Sequence, residues 1–264
     1  MTVGSMTSFR LPVSGREIRL RGLSGREELL LIDALALDMA LALELLAGLA
    51  EDAGAADVDW PSLPVADIDV ALLRLRQANC GDLVRSDVVC PAPNCGEPIE
   101  VSFSLEAYLA HHSPRRPRNI EADADPMWFR LSDGAASFRA PTGADLVAAT
   151  TGRDPQGALE TTCFRPAGLR GVGLKRALTA LAAMAPALSE ELSARCPACG
   201  STVVVFFDAR GFALRELRNQ ASFVYADAHL LARHYHWPEA EILALPRDRR
   251  VRYAEMLRHE VRGA

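Results

Sequence analysis

Cys90-Pro91-Ala92-Pro93-Asn94-Cys95-Gly96 and Cys196-Pro197-Ala198-Cys199-Gly200 are the stretches from which the fold is read. Each cysteine pair ends in glycine and runs into an apolar, β-prone segment: Ile99-Glu100-Val101-Ser102-Phe103 after the first, Val203-Val204-Val205-Phe206-Phe207 after the second. This is the pattern of a zinc knuckle. A tight turn aims two thiolates at one point, and the glycine takes the positive φ that the turn needs. One knuckle offers two ligands and a structural zinc takes four, so Cys90, Cys95, Cys196 and Cys199 are predicted to share one Zn2+. The pairs are much further apart than in a compact finger. The metal would therefore clamp a fold rather than create a mini-domain.

The two knuckles sit in what reads as an internal duplication. Phe9-Arg10-Leu11-Pro12 opens a segment ending Leu20-Arg21-Gly22-Leu23-Ser24-Gly25-Arg26-Glu27. Phe129-Arg130-Leu131-Ser132 opens another ending Phe138-Arg139-Ala140-Pro141-Thr142-Gly143-Ala144-Asp145. Gly15 and Gly134 stand where a hairpin would turn. Ser24 and Thr142 stand where a helix would be capped, each followed by an acid in the first turn. Helical sequence then leads to a Cys-Pro knuckle and a strand. The expected fold class is α+β. Residues 1–110 and 128–211 form two hairpin-helix-knuckle units, residues 111–127 a Pro/Arg-rich linker, and residues 212–264 a C-terminal three-helix segment. The pair is expected to pack as a pseudo-dimer around the metal.

Composition sets outer limits. A chain of 264 residues buries a sizeable core. A net charge of −5 gives no global drive toward nucleic acid or anionic membrane. Six cysteines without a signal-peptide pattern point to a reducing cytoplasm, where clustered cysteines bind metal more often than they pair as disulfides. Cys80 and Cys163 lie outside the knuckles and read as free thiols. Leu29 to Ala50 is the longest apolar run, but Asp33, Asp38 and Glu44 interrupt it, a cost that lipid disfavours. It is expected as one deeply packed helix or two short ones, with Asp33, Glu44 and Glu51 in phase on one stripe.

Further along, residues 53–66 read as a loop and Asp67 as the cap of a helix through Asn79. Leu72, Leu73, Leu75 and Ala78 would form its buried face, and Arg74 and Arg76 a solvated one. Leu83 to Val89 is expected as a strand, and Leu174–Ala185 and Pro186–Leu192 as helical. Phe212 to Tyr235 reads as one helix, with Leu214, Leu217, Ala221, Val224, Ala228 and Leu231 inward. Pro238 is placed at N1 of a short helix, and Arg247 to Val261 forms the last.

Catalytic patterns are not found. His229 and His234 do not share a helical face, nor do His234 and His236. His111 and His112 fall in the linker, and surface or capping roles are expected for all five. No Ser-His-Asp or paired-carboxylate spacing is present. Gly168-Leu169-Arg170-Gly171-Val172-Gly173 lacks the preceding strand and the Lys-Ser or Lys-Thr of a phosphate loop, and reads as a loop.

One long run carries a resemblance. His229-Leu230-Leu231-Ala232-Arg233-His234-Tyr235-His236-Trp237, then Glu241-Ile242-Leu243-Ala244-Leu245-Pro246, then Arg249-Arg250-Val251-Arg252-Tyr253, resembles the end of many phage tail and baseplate proteins. The upstream elements agree: an N-terminal hairpin, Leu23-Ser24-Gly25-Arg26-Glu27, Cys80-Gly81-Asp82, and Cys90 through Ile99-Glu100-Val101-Ser102-Phe103-Ser104-Leu105. Together they resemble the T-even-type baseplate hub assembly chaperone family of contractile phages and phage-derived contractile injection systems. The resemblance implies a non-enzymatic baseplate component or assembly chaperone with protein partners, in the cytoplasm or within a phage-like particle. This chain departs from the pattern in two places: four residues separate Cys90 from Cys95, and Leu29–Ala50 is unusually apolar.

Two other classes remain. A zinc-ribbon nucleic-acid binder is favoured by the knuckles and the Arg247–Arg262 cluster, and disfavoured by the acidic balance and the scarcity of aromatics among the arginines. A catalytic zinc is disfavoured because four thiolates leave no open coordination position. No small-molecule substrate and no membrane insertion are expected. Arg249, Arg250 and Arg252 are the predicted partner-binding residues, because arginines beside aromatics are enriched at interface hot spots.

Overall fold

The computed structural model describes residues 6–50 and 58–263. The chain is mixed helix and sheet. Strands β1 (Thr7–Arg10) and β2 (Glu17–Leu20) form an antiparallel hairpin whose turn uses Gly15 at φ 70°. Helix α1 (Gly25–Asp33) follows, then α2 (Met39–Leu49), a 3₁₀ turn at Trp60–Ser62, and the long α3 (Val65–Cys80). Strands β3 (Leu83–Val89) and β4 (Pro98–Ser104) form the first knuckle hairpin, and α4 (Leu105–His111) leaves it. A second sheet comprises β5 (Ile120–Ala122), β6 (Phe129–Leu131), β7 (Ser137–Phe138) and β8 (Phe164–Arg165), in that spatial order and antiparallel throughout. Helices α5 (Gly143–Thr150) and α6 (Pro155–Cys163) lie between β7 and β8 in the chain, and α7 (Gly171–Met184) follows. Strands β9 (Glu190–Arg195) and β10 (Thr202–Phe207) make the second knuckle hairpin. The chain ends in α8 (Ala209–Gln220), α9 (Val224–Tyr235), α10 (Glu239–Ala244) and α11 (Arg247–Gly263).

The largest core gathers apolar side chains from the first hairpin and from α1, α2, α3, α4 and α8. A second cluster lies under the β5–β8 sheet against α7, and a third joins α9, α10 and α11 around Leu231, Ile242 and Leu257. A small fourth cluster sits at the knuckles. Among the described residues no helix is long and apolar enough to cross a membrane.

The run from Leu29 to Ala50 takes the second of its two expected forms, a pair of short helices. Several other expectations are corrected. Asp38 caps α2 by accepting from the Leu41 N–H at 3.1 Å, so Asp33 and Glu44 do not share a stripe. Glu51, and residues 53–57 of the expected loop, lie outside the described residues. Helix α3 begins at Val65, with Pro64 rather than Asp67 at its cap. Asp67 is fully buried and accepts the Val13 and Ser14 N–H groups at 2.8 Å each, tying the first hairpin to the helix. Arg76 is buried too: its Nε donates to Glu216 at 2.9 Å and its guanidinium lies over the Phe212 ring, so only Arg74 is partly solvated. Ala78 is exposed.

The segment read as a linker holds a strand: Ile120, Glu121 and Ala122 pair with Leu131, Arg130 and Phe129. Pro186–Leu192 is not helical, since β9 starts at Glu190, and α7 starts inside the expected glycine loop at Gly171. Phe212–Tyr235 is broken by a 3₁₀ turn at Ala221–Phe223. The inward positions survive the break, and Leu214, Leu217, Ala221, Val224, Ala228 and Leu231 are all buried. Helix α8 belongs to the main core, leaving α9, α10 and α11 as the C-terminal cluster. Pro238 is the cap of α10, one position earlier than expected.

Candidate metal centre

The two knuckle hairpins are alike from base to tip. Val89 pairs with Pro98 at the end of one ladder and Arg195 with Thr202 at the end of the other. Beyond those pairs the chain turns through Cys90–Glu97 and Cys196–Ser201. The first turn is closed by the Cys90 N–H donating to Glu97 O at 2.9 Å, the second by the Cys196 N–H donating to Ser201 O at 2.9 Å. Gly96 and Gly200 follow the second cysteine of each pair at φ 64° and 71°, a conformation that costs glycine nothing. The longer first turn uses one more left-handed residue, Asn94, at φ 66°.

The tips face one another. Cys90 Sγ lies 3.7 Å from Cys199 Sγ, and Cys95 Sγ lies 3.8 Å from Cys196 Sγ. All four sulfurs lie within 4.8 Å of one another, and this is the cysteine cluster among the described residues that could hold a metal ion. The separations are far beyond the roughly 2.05 Å of a disulfide. Cys90 and Cys196 are buried and Cys199 is exposed, with Ile99 and Val203 packed beneath. Backbone N–H groups of Ala92, Glu97 and Ser201 favour the ionised forms of Cys90, Cys95 and Cys199, but at Cys90 burial and hydrogen bonding with Cys199 and Cys196 outweigh this and push the thiol up. The Ser201 hydroxyl and N–H hold Cys199 down at about 6. Cys95 receives the Glu97 N–H, yet hydrogen bonding with its sulfur neighbours, Cys199 first, and desolvation push it up to about 12. Four sulfurs this close cannot all ionise without a cation among them, and a bound divalent ion removes that repulsion.

At their bases the hairpins are locked by rings. Phe103 and Phe207 occupy matching strand positions and meet edge to face at 5.3 Å, with Tyr108 at 5.4 Å from Phe207. Ser104 and Asp208, the next residues, cap α4 and α8 by accepting from Ala107 and Gly211. The Tyr108 hydroxyl donates to Leu188 O at 2.9 Å. The cysteine cluster is thus the far end of a paired-hairpin arm whose near end is embedded in the main core.

Other predicted residues separate. Cys80 ends α3 before Gly81, and Cys163 is buried; both are free thiols, and neither belongs to a group of three or more ligating side chains among the described residues. His229 and His234 are exposed, His236 ends α9 in the left-handed conformation, and His112 caps α4 beside Glu190. Arg249 and Arg252 are exposed on α11, but Arg250 is not a surface residue: it is 1% exposed and ion-paired with Glu28, which is equally buried. Its Nε also lies 3.6 Å from Asp227. Sequence reading missed this buried pair because its acid is more than two hundred positions away. The available signal was helical phase, since Arg250 shares a face with Ala254 and Leu257.

A family model described as T4 bacteriophage base plate protein matches residues 5–155, which include the first knuckle and stop short of Cys196, Cys199 and the C-terminal helices. No curated protein and no solved structure matches the chain.

Proposed function

The chain belongs to the T4 bacteriophage base plate protein family, and from that membership we propose that it serves a contractile tail or injection-system baseplate as a non-enzymatic structural or assembly component, with one structural Zn2+ clamping two related halves. The observation that carries the reading is the meeting of Cys90, Cys95, Cys196 and Cys199 at the tips of two matching hairpins. With Zn–S bonds of about 2.3 Å, the edge of a sulfur tetrahedron is about 3.8 Å, and the cross-hairpin separations are 3.7 and 3.8 Å. Thiolate-only ligation fits Zn2+ and leaves no position for a reacting water, which favours a structural over a catalytic role. The metal would supply cohesion between the hairpins and no chemistry.

A duplicated origin is supported by the bonding at the openings of the two halves. Ser24 and Thr142 each form a capping box, with Glu27 and Asp145 respectively. Each cap also docks on a Leu-Pro segment leading into a helix: Ser24 bridges Pro246 and Thr142 bridges Pro64. The Arg247 N–H donates to Leu23 O as the Val65 N–H donates to Pro141 O, both at 2.9 Å. The joints run crosswise, since the helix docked on each opening comes from the other part of the chain. Arg249 and Arg252, exposed beside Tyr253, are proposed as the surface that meets another baseplate subunit.

The test is assembly of tails with the wild-type chain and with the Cys196→Ser/Cys199→Ser variant, with metal content measured on the purified protein. One zinc per wild-type chain, and failed or delayed baseplate assembly without the chain, support the reading. Zinc-free protein that assembles normally refutes the clamp, and retention on DNA at moderate salt would favour the nucleic-acid alternative.

A further inference from the structure

A cavity of about 550 Å³ opens between the first hairpin turn, the Leu63-Pro64 segment and the β5–β8 sheet. Its floor is apolar, with Phe129, Phe138, Leu181 and Met184 lining it. Its rim carries Arg16, Arg115 and Arg116, all exposed. Arg115 and Arg116 also line a neighbouring depression of about 480 Å³, joined there by Lys175, so the two run on as one groove. None of these four cations has an ion-pair partner among the described residues, and no carboxylate lines either hollow. In a chain of net charge −5, this is a local reversal of sign over an apolar floor.

We propose that this groove is a docking site for a short acidic segment of a partner protein, its Asp and Glu side chains meeting Arg16, Arg115, Arg116 and Lys175 and its apolar side chains filling the cavity above Phe138. Like-signed charge around a low-dielectric cleft focuses its field on an oppositely charged ligand, and bidentate guanidinium–carboxylate bonds add direction. The recessed apolar floor favours a peptide over a nucleic acid, which reads such cations along an open track with rings presented for stacking. The surface is distinct from Arg249 and Arg252, and its test does not need a baseplate, so its failure leaves the proposed function standing.

The experiment is selection of peptides of about twelve residues from a random display library on the immobilised full chain, followed by fluorescence anisotropy of the best synthetic peptide at about 50 and about 300 mM salt. The expected winners place Asp or Glu beside Leu, Phe or Met. Their affinity should fall at least about tenfold in Arg115→Glu/Arg116→Glu and in Lys175→Glu, and fall with salt. All three positions are exposed, and unchanged thermal midpoints confirm that the variants fold. Winners without acids, equal binding to the charge-reversed variants, or displacement of the peptide by oligothymidylate each overturn the proposal.

Discussion

Arg21 holds Glu27 through both terminal guanidinium nitrogens, at 3.0 and 2.7 Å, and Arg139 holds Asp145 in the same way at 2.6 and 2.9 Å. Each arginine also donates to the carbonyl of the next residue, and each acid accepts from the backbone N–H of the cap three residues before it. One carboxylate thus satisfies the strand end, the cap and the first turn of a helix together. A glutamate does this at the start of α1 and an aspartate at the start of α5, so the bonding pattern is shared where the side chains differ.

Burial alone would raise Asp145, but the Arg139 guanidinium and the Thr142 donors outweigh it and hold the carboxyl at about 2, below its ordinary 3.8. A depressed folded value means stability that is complete above pH 4 and fades as pH falls toward 2. Wild-type protein should therefore lose more of its thermal midpoint between about pH 5 and pH 2.5 than Asp145→Asn does, by a few degrees. Melts of both proteins across that range check this, and parallel curves would show the pair adds nothing.

The two glycines that follow the caps, Gly25 and Gly143, should respond unequally to a methyl group. A Cβ on Gly25 would meet Leu243 Cα at 2.9 Å and its Cδ2 at 2.7 Å, a clash with backbone that a side-chain rotation cannot relieve. A Cβ on Gly143 would meet only side-chain tips, Ile68 Cδ1 at 2.8 Å and Leu43 Cδ2 at 3.1 Å. Gly25→Ala is expected to cost about 2–3 kcal/mol and Gly143→Ala about 1 kcal/mol or less, by the usual penalty for overpacking. Urea denaturation of the two variants gives the comparison, and equal losses would mean that the Leu243 segment yields.

Local pattern was legible in the sequence where a few neighbouring residues set the outcome. The knuckle turns follow from Cys-Pro and Gly, the caps from Ser24 and Thr142, and the strands after the two knuckles from their β-branched residues. What escaped were decisions made at long range. Asp67 looks like a cap by position, but the Leu63-Pro64 joint to Thr142 starts the helix earlier and leaves the acid to the first hairpin. Arg76 looks solvated until α8 brings Glu216 and Phe212 to it. Ile120–Ala122 lacks strand character of its own and pairs because β6 offers an edge.

If the four cysteines hold a metal as proposed, removing it should loosen the arm and spare the body. The cysteines sit on a small cluster of their own, while the hairpin bases are held by Phe103, Tyr108 and Phe207 in the main core. A strong chelator, or Cys196→Ser, is therefore expected to speed amide exchange by at least about tenfold in residues 88–101 and 194–205 while helical circular dichroism is retained. Exchange followed by mass spectrometry, before and after chelation, decides it. Unfolding of the whole chain would mean that the clamp carries the fold, and unchanged exchange would mean that no metal acts there.

The arginines of α11 should divide by burial. Arg250 neutralises Glu28 in a site closed to water and lies near Asp227. Arg250→Met keeps much of the volume but leaves buried carboxylate charge undercompensated, and is expected to cost about 3 kcal/mol. Glu28→Leu added to Arg250→Met should recover part of that loss, because the double change removes the stranded charge. Arg249 and Arg252 point outward, so Arg249→Glu/Arg252→Glu should shift the thermal midpoint by less than about 2 °C. The same double reversal should weaken capture of a baseplate partner by about tenfold or more if α11 is the contact surface. Denaturation and pull-down on one set of variants read both effects. Full partner capture by a folded Arg249→Glu/Arg252→Glu protein would remove α11 from the interface. A stable Arg250→Met protein would show that Arg247, 3.0 Å from Glu28, is enough to hold that charge.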